Sequence, residues 1–274
     1  FNYAAALSVL TDEKYFQGSY EYLKLVTAKA TCPILNKDFF VDSYQVYLAR
    51  FYGADAILLM LSVLTDEEYK TLAGIAEQLN LAILTEVSNE EECVRAVKLN
   101  AKLIGINNRN LRDLSTDINR TFELVTHIPS DRLIISESGI YTHQQVRTLS
   151  PVVNGFLVGS SLMAEDNLDI ACRKLVYGEH KVCGITTPSQ AQTICKAGAV
   201  YAGLIFAEKS PRFITETAAK AIISAEPNLN YVGVFVNHPI ETVVHLAQSL
   251  ELFAVQLHGQ ENELYVQELR QQLP

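Results

Sequence analysis

Six polar residues close otherwise apolar runs: Lys37 ends CPILNK, Glu86 stands in AILTEV, Asn107 and Arg109 end LIGINNRN, and Glu137 and Ser138 end LIISES. Side-chain alternation puts Pro33, Leu35 and Lys37 on one face, so Lys37 shares its side with residues suited to filling an interior. An ammonium there needs a carboxylate, and Glu86 or Glu137 can supply it. A partly buried pair of that kind shifts both proton affinities and is the working unit of general acid–base chemistry. A satisfied interior ion pair without chemistry would use the same residues. Gly139 in SESGI, and Gly159 and Ser160 in FLVGSSLM, offer backbone amides that can approach an anion such as phosphate. Further along, Cys183 sits in the short apolar strand KVCGI, where inert core packing is the usual explanation of a cysteine, and Arg212 in SPRF can fork onto a carboxylate.

These residues need elements that bring them together. Eleven β-branched and aliphatic runs recur, centred 21 to 30 residues apart, from AALSVL near the start to FAVQLHG near the end. That is the period of a β–α unit. Helix punctuation lies between them: Thr65-Asp66-Glu67-Glu68 and Ser88-Asn89-Glu90-Glu91 read as capping boxes, and Thr187-Pro188 places proline at a first helical position. Gly53 and Gly198 stand where helices should stop. Near-continuous apolar runs are those of parallel strands buried on both faces.

Seven strands precede Cys183 and four run from KVCGI onward. The pattern fits an α/β protein of two consecutive (β/α)8 TIM barrels, the first lacking its first strand and the second its C-terminal half. A doubly wound sheet is the alternative, but no G-x-G-x-x-G follows any strand, so dinucleotide binding has no support. In a barrel, chemistry sits at the carboxyl ends of the strands, where the polar residues above fall, with the anion site after the last two. Gln256 and His258 end the fourth strand of the second set. The pairs Tyr15-Phe16 and Phe39-Phe40 follow the first two strands, placed to line a flat pocket or to pack over the barrel mouth.

Composition narrows the function classes. The chain has 274 residues, 49% of them hydrophobic and 19% charged, with 31 acidic against 22 basic side chains and a formal net charge of -9. Such a molecule repels polyanions, so no nucleic-acid or membrane partner is expected. No apolar run reaches the length of a membrane span. The five scattered cysteines, none in a C-x-x-C pair, argue for a reducing compartment, the cytoplasm, and against a zinc site. The chain opens FNYAAALSVL without Met and closes LRQQLP straight after a helix, so it reads as a piece of a longer protein.

The segments SVLTDEKYFQGSY, PILNKDFFVDSYQ, LTEVSNEEE, IGINNRNLRDL, ISESGI and NGFLVGSSLM closely resemble indole-3-glycerol phosphate synthase. KVCGIT, GLIFAEKSPRF, VGVF and AVQLHG resemble phosphoribosylanthranilate isomerase, and the order is that of the fused bifunctional enzyme of tryptophan biosynthesis. The resemblance implies a synthase barrel over residues 1–178 (strands two to eight) and the N-terminal half of an isomerase barrel over 179–274. It gives Lys37 the role of general acid, Glu86 that of its acid–base partner in dehydration, and Asn107 that of positioning the departing hydroxyl. Arg109, Glu137 and Ser138 would organise the pocket, Phe16 and Phe39 would hold the anthranilate ring, and Gly139, Gly159 and Ser160 the phosphate. Cys183 would be the isomerase base and Arg212 its carboxylate binder. No metal or organic cofactor is implied, and the parent is expected to be monomeric and to act on small sugar-phosphate and anthranilate substrates.

The family's first-strand glutamate and lysine, and the isomerase's acidic partner and phosphate loops, have no counterpart in these 274 residues. The isolated chain is therefore expected to show negligible isomerase and at most a trace of synthase activity. Two other readings use the same residues: a non-catalytic phosphate-binding scaffold, and another sugar-phosphate isomerase or aldolase with Lys37 as a Schiff-base lysine.

Overall fold

The structure, a computed structural model, describes residues 3–110 and 114–273. The chain divides into two compact units, Phe1–Ala164 and Glu165–Pro274.

The first unit carries β1 (Leu7–Leu10), β2 (Ile34–Lys37), β3 (Ala56–Met60), β4 (Ala82–Val87), β5 (Leu103–Asn107), β6 (Leu133–Glu137) and β7 (Gly155–Leu157). Between and after them come α1 (Tyr20–Thr27), α2 (Ser43–Phe51), α3 (Asp66–Gln78), α4 (Glu90–Lys98), α5 (Asn119–Val125), α6 (His143–Leu149) and α7 (Ser160–Met163). All seven strands pair in parallel and in sequential order. The second unit holds α8 (Leu168–Tyr177), β8 (Lys181–Cys183), α9 (Pro188–Lys196), β9 (Tyr201–Ile205), α10 (Glu216–Ala225), β10 (Asn230–Phe235), α11 (Ile240–Ser249), β11 (Ala254–Leu257) and α12 (Glu263–Arg270). Its four strands are likewise parallel, in the order β11-β10-β9-β8. Each of the eleven apolar runs is thus a strand.

Alternation sorts each strand into two faces. Ile34, Ile57, Leu59, Ile104, Ile106 and Ile134 face the helices and join Val46, Leu72, Ala76 and Cys93 in the main core of the first unit. Each such fully buried Ile or Leu contributes about 1.5–3 kcal/mol. Leu35, Leu58, Met60 and Leu84 form a separate buried cluster on the other face, with Leu103, Ile135 and Leu157 packed against it. That second cluster is an interior, because the sheet is rolled. In a flat sheet β2 and β6 would stand roughly 19 Å apart, yet Lys37 Nζ reaches Glu137 Oε2 at 3.5 Å. The smaller sheet curves as well: Lys181 on β8 donates to Gln256 Oε1 on β11 at 2.6 Å.

The helix punctuation reads through with one shift. Thr65 and Glu68 form the reciprocal cap of α3, and Thr187 caps α9 with proline in its first turn. Gly53 and Gly198 follow α2 and α9 with φ of +89° and +94°. At α4 the cap is Asn89 rather than Ser88. Asn89 Oδ1 accepts from Glu92 N at 2.9 Å, and Glu92 Oε2 returns to Ser88 N at 2.7 Å. The carboxylate that closes the box is therefore Glu92, whose side chain is buried, and not Glu91.

Candidate active site

Four inward-facing residues meet at the carboxyl ends of β2, β4, β5 and β6. Lys37 Nζ lies 3.2 Å from Glu86 Oε2 and 3.5 Å from Glu137 Oε2, so both candidate carboxylates hold it. Asn107 Nδ2 donates to Glu86 Oε1 at 3.1 Å. Glu86, Asn107 and Glu137 are buried, and Lys37 keeps 16% of its side chain exposed, which makes it the most accessible of the four.

Burial disfavours the Lys37 ammonium, but the charges of Glu137 and Glu86 more than offset it and hold its pKa above the ordinary lysine value. Glu137 also has its pKa raised, which for a carboxyl group favours the neutral form. Its burial, opposed by Lys37 and reinforced by Glu86, pushes it up to about 7. Its Oε1 is buried with no hydrogen-bond partner among the described residues. The cluster therefore combines a proton-rich ammonium with a carboxyl that exchanges its proton near neutral pH. Such a set can protonate a carbonyl oxygen, take up a proton and assist departure of a hydroxyl.

The walls are aromatic and glycine-rich. The rings of Phe16 and Phe39 stack at 5.1 Å with an interplanar angle of 6°, and Tyr15 meets Phe39 edge-on at 5.8 Å. Phe40 turns away into the main core. Ser138 adopts φ +66°, a left-handed conformation that is costly for a residue with a side chain. Its carbonyl accepts from Asn108 Nδ2 at 3.0 Å. Ser161 Oγ donates to Ile140 O at 2.7 Å and so ties the turn holding Gly159 and Ser160 to the turn holding Gly139. Arg109 does not join the charged cluster. Its amide donates to Asn107 Oδ1 at 3.0 Å, and its guanidinium donates to Leu114 O at 3.2 Å across its own loop.

In the second unit Cys183 is the last residue of the edge strand β8, exposed, with Gly203 beside it on β9. A Cβ at position 203 would come within 2.7 Å of its Sγ. Arg212 lies over Gly184 and its guanidinium donates to the backbone carbonyl of Cys183 at 3.0 Å. Burial raises the Cys93 and Cys195 thiols to about 12 and about 11, which makes them core residues rather than nucleophiles. Gln256 is engaged with Lys181, and His258 is exposed.

With this geometry in hand, comparison with known proteins is decisive for the larger unit: the family model of indole-3-glycerol phosphate synthase matches residues 1–175. The chain belongs to the indole-3-glycerol phosphate synthase family. The model of N-(5'phosphoribosyl)anthranilate isomerase matches residues 180–274. The tryptophan biosynthesis protein TrpCF of Vibrio cholerae is 61% identical over 272 residues, covering 99% of this chain and 58% of its own length. TrpCF of Yersinia pestis is 56% identical over 273 residues, covering 100% and 57%. The chain thus spans somewhat over half the length of these relatives. A solved phosphoribosyl anthranilate isomerase from Thermotoga maritima is 35% identical over 34% of this chain and 46% of its own, with a TM-score of 0.33.

Two residues of this synthase-family unit escape sequence reasoning. Gly105 faces inward on β5, and a Cβ there would run into Glu137 Oε1. Asn108, fully buried, donates to Ser136 Oγ and Ser138 O, and accepts from Thr121 Oγ1 at 2.8 Å. The available signal for Asn108 was a second polar residue directly after Asn107, which alternation must turn toward the helices.

Proposed function

We propose that this chain is part of a bifunctional enzyme of tryptophan biosynthesis built on two (β/α)8 barrels, with residues 1–178 in the synthase and 179–274 in the isomerase. The synthase substrate is 1-(2-carboxyphenylamino)-1-deoxyribulose 5-phosphate; ring closure, decarboxylation and dehydration give indole-3-glycerol phosphate, carbon dioxide and water. The observation that carries this reading is the Lys37 ammonium held between Glu86 and Glu137. Lys37 protonates the substrate carbonyl during ring closure. Glu86, hydrogen-bonded to Asn107, serves the later dehydration, with Asn107 aligning the leaving hydroxyl. Glu137, in contact with Lys37, holds the ammonium in place, and Ser138 and Arg109 shape the rim. The Phe16–Phe39 pair takes the anthranilate ring, and the amides of Gly139, Gly159 and Ser160 take the phosphate.

In the second unit Cys183 removes the sugar C2 proton in the Amadori rearrangement of phosphoribosylanthranilate, and Arg212 binds the substrate carboxylate. The protein works in the cytoplasm as a monomer. No described helix is long and apolar enough to cross a membrane.

The synthase reading is tested with the full-length protein by following indole-3-glycerol phosphate and carbon dioxide, which must appear in equal amounts and be lost in Glu86→Gln. Full turnover in that variant, or a borohydride-trapped lysine adduct at Lys37, would overturn it.

A further inference from the structure

Lys37 is flanked in sequence by two buried polar residues, Asn36 on the face of β2 turned toward the helices and Asp38 just beyond the end of the strand. Neighbouring residues on that face, such as Ile34, belong to the apolar core. Asp38 Oδ2 accepts from Thr11 Oγ1 at 2.5 Å, and Thr11 Oγ1 in turn accepts from Asn36 Nδ2 at 2.6 Å. The amide of Thr11 donates to Lys37 O at 3.3 Å. The other carboxylate oxygen, Asp38 Oδ1, accepts from Phe39 N at 2.7 Å. Thr11, Asn36 and Asp38 are all less than a tenth exposed.

A carboxylate buried here loses hydration that an apolar residue would never have needed. What it provides is geometric. One oxygen, through Thr11, fixes the backbone that carries Lys37, and the other fixes the backbone of the ring stacked on Phe16. We propose that Asp38 is a positioning residue for the synthase reaction, its carboxylate setting Lys37 and Phe39 together through Thr11 Oγ1 and Phe39 N. This rests on the reading of residues 1–178 as the synthase.

The test compares Asp38→Ala, Thr11→Val and Thr11→Ser with wild type in the full-length protein, alongside Lys37→Ala. Asp38→Ala lowers kcat roughly 100-fold, the effect of a small misplacement of a reacting group, and also raises KM, because both ammonium and ring wall lose their register. Thr11→Val, which removes the Oδ2 bond together with the Asn36 bond but leaves Phe39 N held by Oδ1, lowers kcat with a smaller change in KM. Thr11→Ser keeps the hydroxyl and restores wild-type values. A readout without substrate accompanies these: labelling of Lys37 by an amine-reactive acylating reagent, followed by peptide mass spectrometry, is severalfold faster in Asp38→Ala and Thr11→Val and unchanged in Thr11→Ser. Wild-type kinetics and labelling in Asp38→Ala, or Thr11→Ser behaving as Thr11→Val, would overturn the proposal. If Asp38→Ala does not fold, the Thr11 pair carries the test. If Lys37→Ala retains full turnover, the synthase reading fails by itself, and the labelling rates still decide whether Asp38 positions Lys37.

Discussion

The carboxyl group of Glu137 occupies the space beside Gly105 that the Cβ of any other residue would need. Gly105 pairs across the sheet with Ile135, one inward position below Glu137 on β6. The missing side chain lets Glu137 fold back over the neighbouring strand and reach Lys37. A glycine inside a strand usually weakens it, and close approach of another group is a common reason for keeping one.

Gly105→Ala should therefore expel the Glu137 carboxyl from its seat. Overpacking of this kind costs about 1–3 kcal/mol. The expected kinetic result is a large fall in kcat with KM nearly unchanged, because the ammonium is displaced while the ring and phosphate walls stay. Steady-state kinetics of the full-length variant check this, and an unchanged kcat would contradict it.

The pH dependence follows from Glu137. Its folded-state pKa, near 7, lies above the ordinary 4.5, so the folded protein binds this proton more tightly than the unfolded chain. The resulting stability is fully present below about pH 4.5 and is lost as pH rises through about 7. Glu137→Gln cannot titrate and should lack that loss. Hydrogen exchange in peptides spanning β4 to β6 reads it locally: protection should fall across this pH window in wild type more than in the variant. Parallel profiles would remove the assignment.

The aromatic wall makes a separate prediction. Phe39→Leu keeps an apolar side chain but ends the stack on Phe16. Ring stacking of this geometry is worth about 0.5–1.5 kcal/mol beyond burial, and a substrate ring binding there loses a comparable amount. KM should rise several-fold with little change in kcat. A change confined to kcat would place the anthranilate ring elsewhere.

Much of this was legible in the sequence because it depends on one strand at a time. Alternation put Lys37 on the same face as Leu35, and apolar runs closed by single polar residues marked the strand ends. The roles of Gly105, Asn108 and Asp38 depend on what an adjacent strand places beside them, which no single run displays. Gly105 matters through Glu137, 32 positions away in sequence and one strand away in space. Arg109 shows the converse: a polar residue at a strand end, with its guanidinium turned to a carbonyl of its own loop. The one-residue shift of the α4 cap arose because Ser88 and Asn89 are both good caps, and Glu92 offers a buried carboxylate where Glu91 does not.

We propose that two reactions run on two separate units of this protein, one dependent on Lys37 and the other on Cys183. The most direct test assays the full-length protein with each substrate separately, as wild type, Lys37→Ala and Cys183→Ala. Lys37→Ala should abolish formation of indole-3-glycerol phosphate and leave the isomerisation intact, and Cys183→Ala should do the reverse. Loss of both activities in either variant, or of neither, would contradict it.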